Sequence, residues 1–525
     1  MTLSTLPAER APGRSSSSPS SSPAPLLVLV AAAVAALALV PLGYVVWYAV
    51  SLGPTETWQL LARPRVGELV RNTAGLLAAV VAASVVVGVS LAWVVERTDV
   101  PFKAGWHVLF AAPLAMPAFV NSYGWVSLTH AVQSFPGAVL VVTLSYFPLV
   151  YLPVVAALRG LDPALEEVAF SLGRSRWATF VAVVLRGARP AVLGGGLLVG
   201  LHVLAEFGAL RMLRFPTFTT AIYDQYRSAF NSAPANVLAG VLVLGCLLLL
   251  LAELGLRGDA ALWRVGSGNA RPADPLRLRR ATPAVLLGLV AVVVLALGVP
   301  LASLVRWLVV GSSTRFPVGD LLSAAATTVG LALAAATVAT VLAMPVAWLA
   351  VRHRGTLSNV IERCAFAAHA LPGIVVALAL VAVSIRAVRP LYQTLPLLLV
   401  CYAILFLPRA LVSVRSSLEQ APPVLEDVAR SLGTHRLGTL LRVTFPLVRP
   451  GVAAGAALVF LAVSTELTAT LLLAPIGTTT LATEFWSQSS SVRYGAAAPY
   501  ALLLVLVSLP ATWLLSRQAR GAGAS

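Results

Sequence analysis

Twelve stretches of this chain stay apolar for about twenty residues or more, near 26–50, 68–95, 107–130, 137–158, 188–208, 234–256, 282–308, 321–350, 361–383, 393–413, 448–473 and 493–516. A bilayer core is about 30 Å thick, so a helix needs roughly 20 apolar residues to cross it. Hydrocarbon offers no partner for free backbone N–H and C=O groups, which restricts a spanning chain to helices or a closed barrel. The period-two alternation of barrel strands is absent from the sequence. With 58% hydrophobic and only 11% charged residues among 525, the chain has too few charges to cover a soluble surface. These features predict an all-α integral membrane protein with about 12 transmembrane helices.

The placement of charge sets the expected orientation. The formal net charge is +17. If both termini are cytosolic, 26 of the 37 Lys and Arg residues fall on the cytosolic side, 6 of them after the tenth span, and 11 fall outside. The positive-inside rule thus predicts a multi-pass protein of the inner or plasma membrane with both ends in the cytosol. The basic balance follows from this topology and calls for no nucleic acid. Residues 1–24, rich in Ser and Pro with Arg10 and Arg14, predict a disordered cytosolic tail. The apolar run behind them is longer than the roughly 7–15 residues of a signal-peptide core, which predicts a retained first span. Cys246, Cys364 and Cys401 have no ligand spacing, so neither a disulfide nor a metal site is expected.

The chain is also a repeat. Leu165-Glu166-Glu167-Val168-Ala169-Phe170-Ser171-Leu172-Gly173 returns 260 residues later as Leu425-Glu426-Asp427-Val428-Ala429-Arg430-Ser431-Leu432-Gly433, and 12 of 26 positions across 165–190 are identical. Ala92-Trp93-Val94-Val95-Glu96-Arg97 answers Ala347-Trp348-Leu349-Ala350-Val351-Arg352 at an offset of 255. Both copies of the charged motif follow the fourth span of their half, so the halves share an orientation. Parallel repeats imply a pseudo-twofold axis along the membrane normal, with a pathway between them. The expected organisation is a first half at 25–256, a cytosolic linker at 257–281, a second half at 282–517 and a short cytosolic tail at 518–525. The basic linker also has the composition to touch anionic lipid. Trp93 and Trp348, just before basic residues, read as interfacial anchors.

The repeated polar motif predicts a short helix, a turn and a second helix below the membrane. Asp162-Pro163 supplies an N-cap acceptor and a residue preset for the first turn. Glu166 and Glu167 fall where the helix dipole favours negative charge. Val168, Ala169 and Leu172 make an apolar edge on a helix too short to span anything, and Gly173 can take the left-handed conformation that ends it. The second copy keeps Glu426, Val428, Ala429, Leu432 and Gly433, with Asp427 in place of the second glutamate and Pro422 in place of the Asp cap. A second amphipathic segment at 177–185 then leads to Pro190, where span five is expected to begin.

These residues resemble the EAA loop of binding-protein-dependent ABC importers, which reads Glu-Ala-Ala, then Gly, then an apolar-Pro pair. That pair survives as Phe445-Pro446, while the first copy has Leu185-Arg186. Beyond its N-terminal tail the whole chain is similar to fused iron(III)-type permeases. The similarity is carried by Ala112-Pro113-Leu114-Ala115-Met116-Pro117-Ala118-Phe119-Val120, Ala205-Glu206-Phe207-Gly208-Ala209, Phe218-Thr219-Thr220-Ala221-Ile222-Tyr223, Glu466-Leu467-Thr468-Ala469-Thr470 and Thr480-Leu481-Ala482-Thr483. The resemblance implies an assembly of this chain, two copies of a cytosolic ATPase docked on the loops, and an external solute-binding protein. Closure of the ATPase pair would switch the pathway between outward and inward access. Thiamine and phosphonate permeases share the architecture, and sulfate and polyamine are further open substrates. A twelve-span secondary transporter is the competing class.

No catalytic set stands out. The only lysine, Lys103, follows Pro101-Phe102, so there is no Walker-type phosphate loop, and ATP hydrolysis is expected on another chain. Neither cofactor nor metal site is expected. Ionisable residues within spans are costly and default to functional candidates. His202 and Glu206 stand at i and i+4 on one face of span five, and Glu466 is the equivalent of Glu206. They are candidates for the pathway, with Asn121 and Tyr123 after the Met116-Pro117 break. Burial of a neutral His202, and simple hydration or hydrogen bonding of the two carboxylates near span ends, are the competing structural readings.

Overall fold

The computed structural model describes residues 24–228, 233–257, 275–311, 313–353 and 355–521. Most of the expected N-terminal tail, most of the linker and the last four residues lie outside this range. Among the described residues the architecture is helical, with a single parallel bridge between Thr98 and Leu276. Each of the twelve apolar stretches is helical. Eight helices are long and apolar enough to cross a membrane, from Pro25–Leu52 to Leu437–Ser464, and two bent helix pairs raise this to 10. The remaining two stretches are the broken segment from Lys103 to Val126 and the last helix, Tyr494–Gly521.

Prolines account for the main departures from twelve straight rods. Met116-Pro117 and Leu371-Pro372 are the repeat's matched pairs, and both interrupt a helix. Pro372 lies at the junction of a pair bent by 107°, and the chain at Met116 is extended between helices. Proline has no N–H to give and disfavours helix in the residue before it, so the ladder stops there. Span three is bent at the Met116-Pro117 break read from its sequence, and span nine is bent at the matching pair, where a continuous span is expected. Span five differs in the other direction. A π-helical turn at Phe180–Leu185 carries the backbone directly from Arg176–Thr179 into Arg186–Ala205, so Pro190 lies inside a helix and does not start one. The second half repeats this with a π turn at Leu440–Thr444 and Pro450 inside the helix.

The halves interlock. The first span, Pro25–Leu52, packs against Val318–Arg352, Thr356–Ala367 and Gly373–Ala387 of the second half. Arg386 donates to the Tyr44 hydroxyl at 2.8 Å and stands 5.7 Å over the rings of Tyr44 and Trp47. In return, Val299–Val310 packs on Ala118–Val126 of the first half, where Ser127 and Ser303 hydroxyls meet at 2.6 Å. Each half thus embraces the other with its leading helix.

Small residues bring the inner helices close, as expected where lipid tails supply no hydrophobic drive between helices. A Cβ on Gly195 would sit 2.8 Å from the Val150 Cα, and one on its repeat equivalent Gly455 would sit 3.3 Å from the Ala410 Cα. Hydroxyls cap repeated turns as well. Thr73 accepts from the Phe218 N–H, and Thr328 from the Leu481 N–H.

Candidate functional site

Two knobs project from one end of the bundle. The first is the helix Pro163–Ser171, a turn, and Arg176–Thr179; the second is Pro423–Ser431 and Arg436–Thr439. Asp162 accepts from the Ala164 N–H at 3.0 Å, as its N-cap position predicts, and Pro422 supplies no side-chain cap. Both helices end in the same way. Gly173 and Gly433 have φ of +77° and +86°. Their N–H groups donate to Phe170 and Arg430, while Arg174 and Thr434 donate back to Ala169 and Ala429 at 3.1 Å. This six-to-one and five-to-two pair is the Schellman closure that a left-handed residue permits.

The apolar edge expected from sequence divides in two. Ala169 and Ala429 are buried against the bundle, whereas Val168 and Val428 face outward and Leu172 and Leu432 are 75% and 79% exposed. Glu167 and Asp427 are exposed beside them. Glu166 and Glu426 point inward. Glu166 lies 2.9 Å from Arg97 and Glu426 lies 2.8 Å from Arg352, and all four side chains are largely shielded from solvent. Each arginine also donates to a carbonyl on the chain approaching its knob, Leu158 and Ala421. Burial pushes the Glu166 carboxyl above its ordinary value, and Arg97 offsets only part of that. The tethering arginines were visible in sequence as part of the offset-255 repeat; what could not be read was that they reach the knob. Trp93 packs edge-on against Phe180 at 5.7 Å, and Arg352 stands over Trp348, so both tryptophans support the same junction.

Between the halves, deeper in the bundle, lies a polar cluster. Tyr146 donates to Glu206, and its ring centroid is 5.2 Å from that of His202. The other Glu206 oxygen accepts from the Ala209 N–H at 2.8 Å, and Glu466 accepts from the Ala469 N–H at 2.9 Å. Each carboxylate therefore caps the short helix that follows it, Gly208–Met212 or Thr468–Leu473. Glu206 and Glu466 lie within Coulomb range of one another across the pseudo-twofold axis. Arg409 and His369 join them. Arg409 is in range of Glu466, Tyr146 and His202, and His369 is in range of His202.

Arg409 was counted by sequence among the 6 basic residues after span ten. The structure overturns that placement, because the helix runs from Leu395 to Gln420 and Arg409 sits in its interior. An arginine at the cytosolic border and one inside a span look alike when an apolar run ends within a turn of it. The signal that could have found it is its asymmetry, since the equivalent position in the first half is Leu149.

The other two sequence candidates lie apart from the cluster. Asn121 is buried and donates to Ser145 at 2.7 Å within its own half. Tyr123 donates to the Tyr494 carbonyl at 2.6 Å and packs on Phe485, at the seam with the second half.

Access to the cluster differs at its two ends. On the far side, Phe119, Phe207, Leu467, Phe485 and Trp486 are all buried against one another's neighbourhood, with Phe119–Phe485 and Phe207–Trp486 ring pairs at 5.4 and 5.3 Å. On the knob side, a cavity of about 590 Å³ reaches His369 past Asn359, Glu362, Arg363 and Arg415. Two more cavities open at the far end. One, of about 550 Å³, carries Arg65, Arg211, Arg214 and Asp224; the other, of about 620 Å³, carries Arg315, Asp320, Glu484 and Arg493.

A bundle of two parallel helical repeats, each with a tethered knob on the same face and a polar seam between them, is the build of a two-half membrane permease. The chain belongs to the family of binding-protein-dependent transport system inner membrane components, whose model matches residues 84–254 and again 339–522. It is a permease subunit of an ABC importer, and that membership removes the secondary-transporter alternative. Among its relatives is the Fe(3+)-transport system permease protein FbpB 2 of Haemophilus influenzae, 40% identical over 91% of this chain and 96% of the relative. The sulfate transport system permease protein CysT of Escherichia coli is 27% identical over 41% of this chain and 84% of its own length. The molybdenum transport system permease protein ModB of the same organism is 32% identical over 23% and 60%.

Proposed function

We propose that this chain is the permease of an ATP-driven importer for ferric iron, with its knob face and both termini in the cytosol. Two copies of a separate ATPase dock on the knobs, one on each. An extracytoplasmic solute-binding protein delivers cargo at the far face, over the two charged cavities, and the surrounding surface meets membrane lipid. Residues 25–256 and 282–517 form the two permease halves, joined by the linker at 257–281. The observation that carries the coupling reading is the pair of knobs: exposed valine and leucine outward, an arginine tether inward, the same in both halves. A solvent-facing apolar patch rimmed by acidic side chains is the kind of surface a protein partner covers. The tether links a push on that patch to the end of the spanning helix that carries Arg97 or Arg352.

The ferric assignment rests on the full-length relative, since the sulfate and molybdenum relatives match only part of the chain. His202, Glu206 and Glu466 line the translocation pathway, which in this conformation is closed toward the outside and open toward the cytosol. ATP-driven closure of the ATPase pair reverses that access.

Gly173→Val with Gly433→Val tests the coupling. A branched side chain in a left-handed conformation is strained by about 1–2 kcal/mol, enough to distort a knob without disturbing the bundle. ATP-dependent uptake is expected to vanish while membrane insertion is kept; normal uptake would refute the docking role. Uptake of radiolabelled iron in a deletion strain tests the cargo. Unchanged accumulation would remove iron and leave the importer standing, with thiamine, phosphonate and other small solutes as alternatives.

A further inference from the structure

The pathway cluster sets an arginine and two histidines beside its two carboxylates. The first half contributes Tyr146, His202 and Glu206; the second contributes His369, Arg409 and Glu466. The repeat equivalents of Tyr146, His202, His369 and Arg409 are Phe406, Ala462, Leu114 and Leu149. The fold is therefore met at these positions by apolar side chains in the opposite half, and the polar groups serve something else.

Arg409 is the informative member. Glu206 is already engaged by Tyr146 and Ala209, and Glu466 by Ala469. Among the described residues Arg409 forms no ion pair within 4.0 Å, although Glu466 is close enough to feel its field. Its guanidinium rests 5.3 Å from the Phe406 ring centroid. An arginine whose task was to neutralise the carboxylates would close on them with two parallel N–H donors. This one lies over an aromatic face instead, in electrostatic range of His369, which lines the cytosolic cavity of about 590 Å³. A planar fork of donors on which no carboxylate closes within 4.0 Å fits the carboxylate or oxyanion of a ligand.

We propose that Arg409 is a cargo-binding residue, and that the cargo crosses as a ferric complex still carrying an anionic oxygen ligand. Arg409 takes that anion, while Glu206 and Glu466 face the metal end. The same charge pattern continues into the cavity, where Glu362 stands with Arg363 and Arg415. This inference rests on the ferric reading above and adds the chemical form of the cargo.

The test uses the whole transporter, with its ATPase and binding protein, in proteoliposomes. Iron-55 is supplied in parallel runs with carbon-14 citrate and with phosphorus-32 phosphate. One anion is expected to enter with iron in a fixed ratio that depends on ATP. Arg409→Gln should lower entry of both labels by at least about tenfold, the scale of one lost charge-assisted hydrogen bond. Arg409→Lys should restore part of the rate with an altered preference between the two anions, which a purely structural residue would not change. Co-purification of each variant with the ATPase controls for folding. Iron entering without either anion, at an undiminished rate in Arg409→Gln, would overturn the inference and leave the ferric importer intact. An anion entering without iron would mark a free-anion site and overturn it too. Failure of iron to enter through the wild-type transporter would remove the ferric reading and this inference together.

Discussion

On the knob face the halves repeat one another closely. Glu166 meets Arg97 at 2.9 Å as Glu426 meets Arg352 at 2.8 Å, and both helices close on a left-handed glycine. Deeper in the bundle they part. Glu206 has Tyr146 as a partner, whereas Phe406 fills the matching place beside Glu466, and Arg409 stands where the first half has Leu149. The staples between the knobs and the cluster have even exchanged charge. His107, Arg159 and Glu96 meet in the first half, at 2.8–3.1 Å. In the second half Arg415 joins Glu362 and Glu419, which are the repeat equivalents of His107 and Arg159. The contrast has a physical reading. Under the proposed function, surfaces that meet two copies of one partner are held to one geometry, whereas a seam that meets a single cargo on the axis gains nothing from symmetry.

Among the described residues the first half also carries an attachment with no counterpart in the second. The end of the linker pairs with the residues following Arg97: Leu276 donates to the Arg97 carbonyl at 2.8 Å, and Asp99 donates back to Leu276 at 3.1 Å. Leu278 adds a bond to the Asp99 carboxylate. Among the described residues the end of the linker is thus fastened beside the first tether alone.

The largest effect is expected from cutting the tethers. Arg97→Ala or Arg352→Ala leaves a shielded carboxylate without its cation, a loss of about 3–5 kcal/mol when such a pair is buried. Limited proteolysis should then cleave the affected knob, and uptake should fall in either variant. The linker's grip on residues 97–99 should make Arg97→Ala the milder of the two; equal or reversed sensitivity would break that comparison. In Arg97→Ala the Glu166 carboxyl, already raised by burial, loses its offset. A carboxyl raised in the folded state stabilises below its unfolded pKa and loses that contribution as pH rises through the folded value. The variant's first knob should therefore resist protease better at acidic than at neutral pH.

A smaller effect separates the helix contacts. Gly195→Ala should lower the melting temperature of the detergent-solubilised protein more than Gly455→Ala, because its new Cβ meets Val150 backbone at 2.8 Å against 3.3 Å at Ala410. Overpacking of this kind costs about 1–3 kcal/mol. Equal shifts would mean that the two approaches relax alike. The smallest change should follow Asp162→Ala, which removes a single N-cap worth about 1 kcal/mol. Hydrogen exchange should quicken in the first turn of Pro163–Ser171 and stay unchanged in Pro423–Ser431, which has no such cap to lose.

Much of this molecule was legible because its rules are local. Apolar length gave the helices, Asp162-Pro163 gave the first helix start, and Gly173 and Gly433 gave the stops. Three kinds of feature were not legible. The break at Pro372 and the continuity through Pro190 and Pro450 involve prolines in similar apolar settings, and only neighbouring helices decide which ladder survives. The exchange of leading helices between halves leaves no trace in a hydropathy profile. Arg97, Arg352 and Arg409 each sit at or near a span end by composition, yet tertiary packing turns the first two onto Glu166 and Glu426 and sets the third in the polar seam near Glu466. Of the pathway candidates, His202, Glu206 and Glu466 come together in one cluster, while Asn121 and Tyr123 are held elsewhere by Ser145 and Tyr494.

The docking of a motor on both knobs is tested most directly by photocross-linking in intact membranes, with a photoreactive amino acid placed first at Leu172 and then at Leu432. Both positions should capture the same nucleotide-hydrolysing chain, with comparable yield. Capture of that chain at neither position, while the probes react only with water or lipid, would contradict the account.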